Sequence, residues 1–271
     1  MPELPEVETV RATLDAELVG LKIIGIDIKY DPIVDDENDY FINNVANKKI
    51  IKISRLAKFL IFELEDGAII SHLRMEGKYF YVPKDSMDNK HIHVKIYLDN
   101  GYMLCYQDVR KFGRMTYRAT NDIYTTRPLI DVGIDPILAK EIEIKTIYDK
   151  IIKKKLPIKT VLLDQSIIAG LGNIYVDEVL YASKILPTRL SSSITIDEMN
   201  RIIDNTISIL SNAIKHKGTT IRSYTSSLGV TGNYQNYLLV HTKQVCQNCN
   251  NKIEKIKIGG RGTYYCKKCQ E

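Results

Sequence analysis

The sequence predicts an α+β protein: an N-terminal antiparallel β-sandwich with one N-terminal helix, then a helical part, then a short cysteine-held hairpin. Three observations predict it. Between residues 22 and 107, short apolar segments are broken by the hairpin signals Asp66-Gly67 and Asn100-Gly101. From Ile147 onward the apolar spacing becomes helical. Near the C-terminus, Cys246-x2-Cys249 and Cys266-x2-Cys269 stand 16 residues apart.

Composition bounds what these elements can do. With 271 residues, 44% hydrophobic and 26% charged, the chain can form about two globular cores. No apolar run reaches the roughly 20 residues of a membrane span. The acidic, proline-punctuated N-terminus is not a signal peptide, so the cytoplasm is the expected compartment. Net charge is +5 and the pI 8.7, short of the value above about 9 that alone points to nucleic acid. Cation placement says more: clusters occur at Lys48, Lys49, Lys52, Arg55 and Lys58, at Arg110, Lys111 and Arg114, at Lys150, Lys153, Lys154, Lys155 and Lys159, and in the tail. One such cluster reads as a solvated face; several fit a surface that follows a phosphate backbone.

The first element is a helix. Pro5 and acidic residues occupy its first turn, and Val7, Val10, Leu14 and Leu18 follow at helical spacing. The same stretch admits a chemical reading. With Met1 removed, Pro2 presents a free secondary amine able to form an iminium with an electrophilic carbon. Glu3 and Glu6 then lie within one turn of it. A free α-amine titrates near roughly 7.7–8.0. A helix N-terminus pushes that value down; carboxylates push it up and can move protons. On pattern alone the plain helix start is the simpler reading.

Next, Lys22 to Tyr30 alternates Ile24, Ile26 and Ile28 with Gly25, Asp27 and Lys29, a half-buried strand. Asp31-Pro32 and Asp35-Asp36-Glu37 read as loop. Strands follow over 49–54, 59–64, 68–73, 79–82, 91–98 and 102–107. Cys105 is expected to be buried in the last of them. Lys58, between Ala57 and an apolar strand, reads by itself as a surface lysine. Met75, just before the Gly77 turn, reads as core filler. Asp108-Val109-Arg110-Lys111-Phe112-Gly113-Arg114 puts an aromatic among cations on a turn, a weak signal for a DNA probe with an apolar wedge. His91 and His93 alternate on one strand face, which leaves a paired metal site open, although no carboxylate stands at motif spacing.

Leu129 to Lys140 reads as a linker, with Gly133 and Pro136 inside it. Ile147, Ile151 and Ile152 lie on a lysine-rich helix, and Pro157 starts another that runs through Val161, Leu162 and Leu163 to Gly170. In Gly170-Leu171-Gly172-Asn173 the amides of a tight helix start can cradle phosphate, while Asn173 by itself reads first as a plain N-cap, a role that can coexist with phosphate binding. Thr195 to Glu198 is a capping box, followed by Ile196, Met199, Ile203, Ile207, Leu210 and Ile214 on a helix that stops near Lys217-Gly218. Residues 218–236, rich in Gly, Ser and Thr, read as a mobile loop. The domain bounds expected are 1–130, 131–236 and 237–271.

The paired cysteines predict one tetrahedral zinc held by Cys246, Cys249, Cys266 and Cys269, structural because no open position is visible. Between the pairs, residues 256–265 form a hairpin with Arg261 near its tip. A metal-held hairpin projects an arginine rigidly toward phosphate, and a bare zinc ribbon can also bind protein.

Four of these stretches, in this order, resemble the bacterial formamidopyrimidine-DNA glycosylases: Met1-Pro2-Glu3-Leu4-Pro5-Glu6-Val7-Glu8-Thr9, the Asp108 to Arg114 turn, the run from Leu163 to Glu178, and Gly259-Gly260-Arg261-Gly262-Thr263 with its following Tyr-Cys. The match spans nearly the whole chain. It implies a helix–two-turn–helix domain after the sandwich, and a bifunctional glycosylase/AP lyase that removes oxidised purines and cleaves the strand by β,δ-elimination. Pro2 is then the nucleophile, Glu3 an acid–base group and Glu6 a positioning group. Lys58 would contact phosphate at the lesion and transfer protons. Met75, Arg110 and Phe112 would fill the gap left by the extruded nucleotide, with Arg110 facing the orphaned base. His91, Asn173 and the basic Lys154 and Lys159 are expected on DNA. Arg261 would hold lesion-flanking phosphate and donate a proton in the second elimination. The 218–236 loop would close over the base. The resemblance further implies damaged double-stranded DNA as partner, a monomer, one structural zinc, a cytoplasmic enzyme beside the nucleoid, and removal of Met1. Two rivals remain: an endonuclease VIII-like enzyme for oxidised pyrimidines, whose relatives begin Met-Pro-Glu-Gly where this chain has Leu4, and a non-catalytic zinc-ribbon DNA binder.

Overall fold

A computed structural model of the chain describes residues 1–219 and 232–271. By contact these form two compact units: Met1–Ile130 with the described residues of Lys217–Gly232, and Asp131–His216 with Asn233–Glu271.

In the first unit, helix α1 (Leu4–Leu18) is followed by strand β1 (Ile23–Ile28), helix α2 (Asn38–Val45) and strands β2 (Ile50–Leu56), β3 (Phe59–Leu64), β4 (Gly67–His72), β5 (Lys78–Pro83), β6 (Ile92–Leu98), β7 (Tyr102–Gln107) and β8 (Arg114–Ala119). They make two antiparallel four-stranded sheets, ordered β1-β6-β7-β5 and β2-β3-β4-β8. Val7, Val10, Leu14 and Leu18 of α1 share one core with Ile53, Leu60 and Phe62 of one sheet and Val94, Ile96 and Leu104 of the other. Burying such side chains contributes roughly 1.5–3 kcal/mol each. Cys105 is buried as expected.

Three details of the first unit differ from the sequence reading. The register of β1 slips between Ile23 and Gly25, so Ile23 takes the core position and Ile24 is 52% exposed. A bulge reverses the facing of the residues before it, and alternation cannot reveal one. The segment after the acidic run is not all loop: α2 buries Phe41 and Val45 four residues apart. Strand β8 went unread because cations bound it, yet Met115, Thr116 and Tyr117 are buried. Asp36 ties it down, accepting from the Thr116 hydroxyl (2.9 Å) and the Tyr117 N–H (2.6 Å) and pairing with Arg118 (3.0 Å).

The second unit holds α3 (Ile144–Ile151), α4 (Ile158–Leu162), α5 (Asn173–Ala182), α6 (Ile196–Lys215) and the hairpin strands β9 (Glu254–Ile258) and β10 (Arg261–Tyr265). The helix begun at Pro157 ends at Leu162, well short of Gly170. Polar side chains there compete with the helical ladder. Asp164 Oδ1 accepts from the Ser166 N–H (3.1 Å) and hydroxyl (2.7 Å), and the Gln165 amide donates to the Leu171 carbonyl (2.9 Å). The capping box of α6 is present, with Met199, Ile203 and Leu210 buried. Among the described residues no helix is long and apolar enough to cross a membrane. Most of the expected loop, residues 220–231, lies outside the described residues.

Candidate functional site

In the first unit, chemistry gathers at the start of α1. Pro2, Glu3 and Glu6 are buried. The Glu3 N–H donates to Glu6 Oε2 (2.9 Å), closing the first turn. Glu6 Oε1 accepts from the Thr219 N–H (2.7 Å) and hydroxyl (3.1 Å). Gly218, at φ +74°, allows this approach, because a Cβ there would lie 2.5 Å from the Glu6 carboxylate oxygen. Glu6 thus clamps the N-terminal turn to residues 218–219.

The terminal amine, on Met1 in this chain, is held below the ordinary value of 8.0 by burial; Glu3 and Glu6 oppose that shift, Lys58 adds to it and Glu76 opposes it. These groups therefore share one electrostatic neighbourhood. Lys58 is not the surface lysine its local sequence suggests: it is 4% exposed. It sits on the β2–β3 turn after Ala57, whose φ is +52°. Arg55 braces that turn, donating from Nη1 to the Ala57 carbonyl (2.9 Å) and from Nε to Glu8 of α1 (2.9 Å).

Sequence reasoning missed His72, the last residue of β4. Its Nδ1 accepts the Arg74 N–H (2.9 Å), which places the neutral ring's proton on Nε2. Burial, and then the charges of Arg74 and Lys58, pull its pKa from 6.5 to about 3. The one available signal was a polar residue ending a strand that is otherwise buried throughout. Below pH 6.5 the unfolded chain binds a proton that the folded ring refuses, so this contribution to stability is complete above pH 6.5 and is lost as pH falls toward about 3. The melting temperature should therefore decline more steeply between pH 6.5 and 4 in the native chain than in His72→Gln. Equal slopes in a thermal-melt series would refute the assignment.

Met75 lies half-buried on the turn between β4 and β5. On the turn between β7 and β8, the Arg110 guanidinium lies 4.8 Å from the Phe112 ring centre, and Phe112 is 48% exposed. An exposed aromatic carried on a turn and covered by a cation has the form of a wedge. His91 is partly exposed, and its carbonyl accepts the Asp108 N–H (3.0 Å). The paired-histidine metal reading fails. The register slips between Ile92 and Val94, and buried His93 spends Nε2 on the Asp108 carbonyl (2.7 Å).

In the second unit, Gly172 takes the N-cap position, so Asn173 is not the cap. The Asn173 amide donates to the Gly262 carbonyl (2.9 Å), and its Oδ1 is buried without a hydrogen-bond partner among the described residues. Arg261 opens β10 after the Gly259-Gly260 turn, with both glycines at positive φ (+53° and +79°), and is exposed. Through Gly262, then, the structure brings Asn173 beside Arg261. Lys154 is partly exposed and paired with Asp164 (2.9 Å).

Lys159 requires correction as a phosphate contact. It is 0% exposed. Its Nζ meets Asp177 Oδ1 (2.8 Å), the Thr263 hydroxyl (2.9 Å) and the Gly262 carbonyl (3.2 Å). It is a buried brace between α4, α5 and β10, and removing either charged partner would strand the other. The lysine run just before it, Lys153 to Lys155, pointed to a solvated face and gave no hint of this. Asp177 and Glu178 were likewise unread: Asp177 Oδ2 meets His241 Nδ1 (2.8 Å), and Glu178 accepts the N–H groups of Leu239, Val240 and His241.

The four cysteine sulfurs lie within 4.8 Å of one another, with Cys246–Cys269 at 3.8 Å and Cys249–Cys266 at 3.4 Å. A tetrahedron with Zn–S near 2.3 Å requires about 3.8 Å between sulfurs. The Tyr181 hydroxyl (3.1 Å from Cys246), Asn248 (3.3 Å from Cys269) and Asn251 (3.5 Å from Cys249) stand where donors offset thiolate charge. Soft, closed and all-sulfur, the set fits one structural zinc.

Known proteins resemble this chain along its whole length. The model of the formamidopyrimidine-DNA glycosylase N-terminal domain matches residues 1–115, that of the formamidopyrimidine-DNA glycosylase H2TH domain residues 132–225, and that of the zinc finger found in FPG and IleRS residues 243–271. The formamidopyrimidine-DNA glycosylase of Streptococcus mutans is 45% identical over 273 residues, covering 100% of both chains. A crystal structure of the wild-type Lactococcus lactis protein with DNA containing N7-benzyl-Fapy-dG superimposes with a TM-score of 0.93 at 41% identity, covering 100% of both chains. Another from Lactococcus lactis, with DNA containing an abasic site, gives 0.92 at 40% identity over 99% of each.

Proposed function

The chain belongs to the formamidopyrimidine-DNA glycosylase family, and on that premise we infer that it is a bifunctional DNA glycosylase and AP lyase of base excision repair. It removes oxidised purines, 8-oxoguanine and formamidopyrimidines, from damaged double-stranded DNA. The observation that carries the mechanism is the partly buried terminal amine with Glu3, Glu6 and Lys58 around it.

The damaged nucleotide leaves the stack, at a cost of a few kcal/mol. With Met1 removed, the Pro2 lone pair attacks the anomeric carbon. The glycosidic bond breaks, its electron pair leaves with the base, and the base gains a proton. Glu3 supplies acid–base assistance as the sugar ring opens and Pro2 nitrogen becomes an iminium. That cation acidifies the adjacent sugar hydrogen. Its loss expels the 3′ phosphate, and a second elimination expels the 5′ phosphate, leaving a gap with phosphate ends. Glu6 holds the nucleophile's turn, and Lys58 contacts lesion phosphate and moves protons. Met75, Arg110 and Phe112 fill the vacated space, with Arg110 against the orphaned base. His91, Lys154, Asn173 and Arg261 track the backbone, and Arg261 donates a proton in the second elimination. Zinc holds the Arg261 hairpin and takes no step in the chemistry.

The reading extends to a monomer in the cytoplasm beside the nucleoid, with a catalytic domain over 1–130, a DNA-binding domain over 131–236 and a zinc finger over 237–271. Incubation with 8-oxoguanine:cytosine and thymine-glycol duplexes tests it. Faster excision from the former, with phosphate at both gap ends, is expected. Preference for thymine glycol would favour the pyrimidine-specific relatives, and binding without cleavage would end the enzyme reading.

A further inference from the structure

The end of β7 carries two buried residues that the mechanism does not use, Tyr106 and Asp108. The Tyr106 hydroxyl sits between two glycines. A Cβ on Gly77 would lie 2.4 Å from that oxygen, and one on Gly113 only 1.6 Å. Gly77 closes the Met75 turn, donating its N–H to the Leu73 carbonyl (2.9 Å). Gly113 closes the turn of Arg110 and Phe112. One oxygen therefore spaces both turns.

Two residues on, Asp108 builds the second turn. Its Oδ1 accepts the Arg110 N–H (2.9 Å), and its Oδ2 accepts those of Phe112 (2.9 Å) and Gly113 (2.8 Å). The His93 ring and the Lys111 N–H hold its carbonyl, and the His91 carbonyl holds its N–H. The Asp108 backbone is thus held on both sides before its carboxylate orients the probe.

The Tyr106 hydroxyl makes no hydrogen bond of normal geometry among the described residues, although it lies near Asp108. An unpaired buried hydroxyl carries a desolvation cost that phenylalanine would avoid. What the oxygen supplies is the volume that fills the gap between two side-chain-free backbones.

We propose that Tyr106 and Asp108 are positioning residues that hold the Met75 turn and the Arg110–Phe112 turn in fixed relation, so that both enter the vacated stack together. The proposal rests on the reading of Met75, Arg110 and Phe112 as gap-filling residues. Tyr106→Phe removes the spacer, and Asp108→Asn removes the carboxylate that organises the turn. Neither touches the terminal amine.

Single-turnover rates on an 8-oxoguanine:cytosine duplex and on an abasic-site duplex test it, with Phe112→Ala alongside. Only the first substrate has a base to evict. The ratio of base excision to abasic-site cleavage should fall about tenfold in both positioning variants, since small misplacements carry large rate penalties. A thermal melt confirms that each variant is folded at the assay temperature; should Asp108→Asn not fold, Tyr106→Phe decides. If Phe112→Ala lowers the ratio and Tyr106→Phe leaves it unchanged, the positioning role is wrong while the wedge stands. If Phe112→Ala leaves the ratio unchanged, the gap-filling reading fails and the proposal with it. Equal losses on both substrates would mark Tyr106 and Asp108 as purely structural and overturn the proposal.

Discussion

Chain that retains Met1 should form no covalent adduct with lesion DNA under borohydride, whereas chain processed to Pro2 should be trapped almost completely. The reason is electronic. Acylated by Met1, the proline nitrogen is an amide whose lone pair is delocalised, and it cannot become an iminium. Freed, it is a secondary amine at the buried start of α1, beside Glu3 and Glu6. The Met1 amine, one residue further out, already has its pKa lowered by burial, so more of it is neutral at pH 7 than in an open peptide. The Pro2 nitrogen should share that advantage. Removing a covalent nucleophile costs on the order of 10³-fold or more in rate. Mass spectrometry of the N-terminus, paired with trapping, separates the two populations. An adduct in Met1-retaining chain would move the nucleophile elsewhere, with the Met1 amine itself and then Lys58 the alternatives to examine.

How much of this was legible beforehand depends on the reach of each signal. Local patterns held up well: the α1 stripe Val7, Val10, Leu14 and Leu18 is buried, and the Thr195 cap and the Gly259-Gly260 turn form as read. Those features depend on a few neighbouring residues. Roles set by distant partners were hidden. Lys159 looked like a member of a solvated cationic run, yet Asp177, 18 residues on, and Thr263, 104 residues on, make it a brace. Lys58 looked exposed because the Arg55 and Glu8 that brace its turn cannot be paired by reading. His72 gave no motif, since its neutrality follows from burial and from the charges of Arg74 and Lys58. Even a correct turn signal misled in detail. The β3–β4 turn is made by residues 65–66, and Gly67 opens β4, glycine because a Cβ would lie 2.4 Å from the Tyr117 hydroxyl. The resemblance implies the roles; buried partners distant in the chain hold the residues that would play them.

Removal of zinc should unfold the Arg261 hairpin while leaving the sandwich intact. The strands β9 and β10 are five residues each, and an isolated two-stranded hairpin is marginal in water. The core beside it is small: Val240, Cys246, Ile253 and Cys266, two of them metal ligands. Metal binding by such fingers is worth about 10–16 kcal/mol near pH 7, far more than this packing supplies. Chelation, or Cys266→Ser, should therefore speed amide exchange across residues 246–266 and lower DNA affinity through loss of Arg261. Exchange in β2 to β4 should not change, because their ladder and core draw nothing from the cysteines. A second set of restraints competes with this expectation. The Lys159–Asp177 pair and the Asn173 amide grip Gly262 and Thr263 without metal. If they suffice, β10 keeps its protection after chelation and only the knuckles loosen. Comparing the chelated chain with Arg261→Ala decides between the two. Equal losses of affinity with fast exchange in β10 only after chelation assign the hairpin's rigidity to zinc; protection retained in β10 assigns it to the buried lysine.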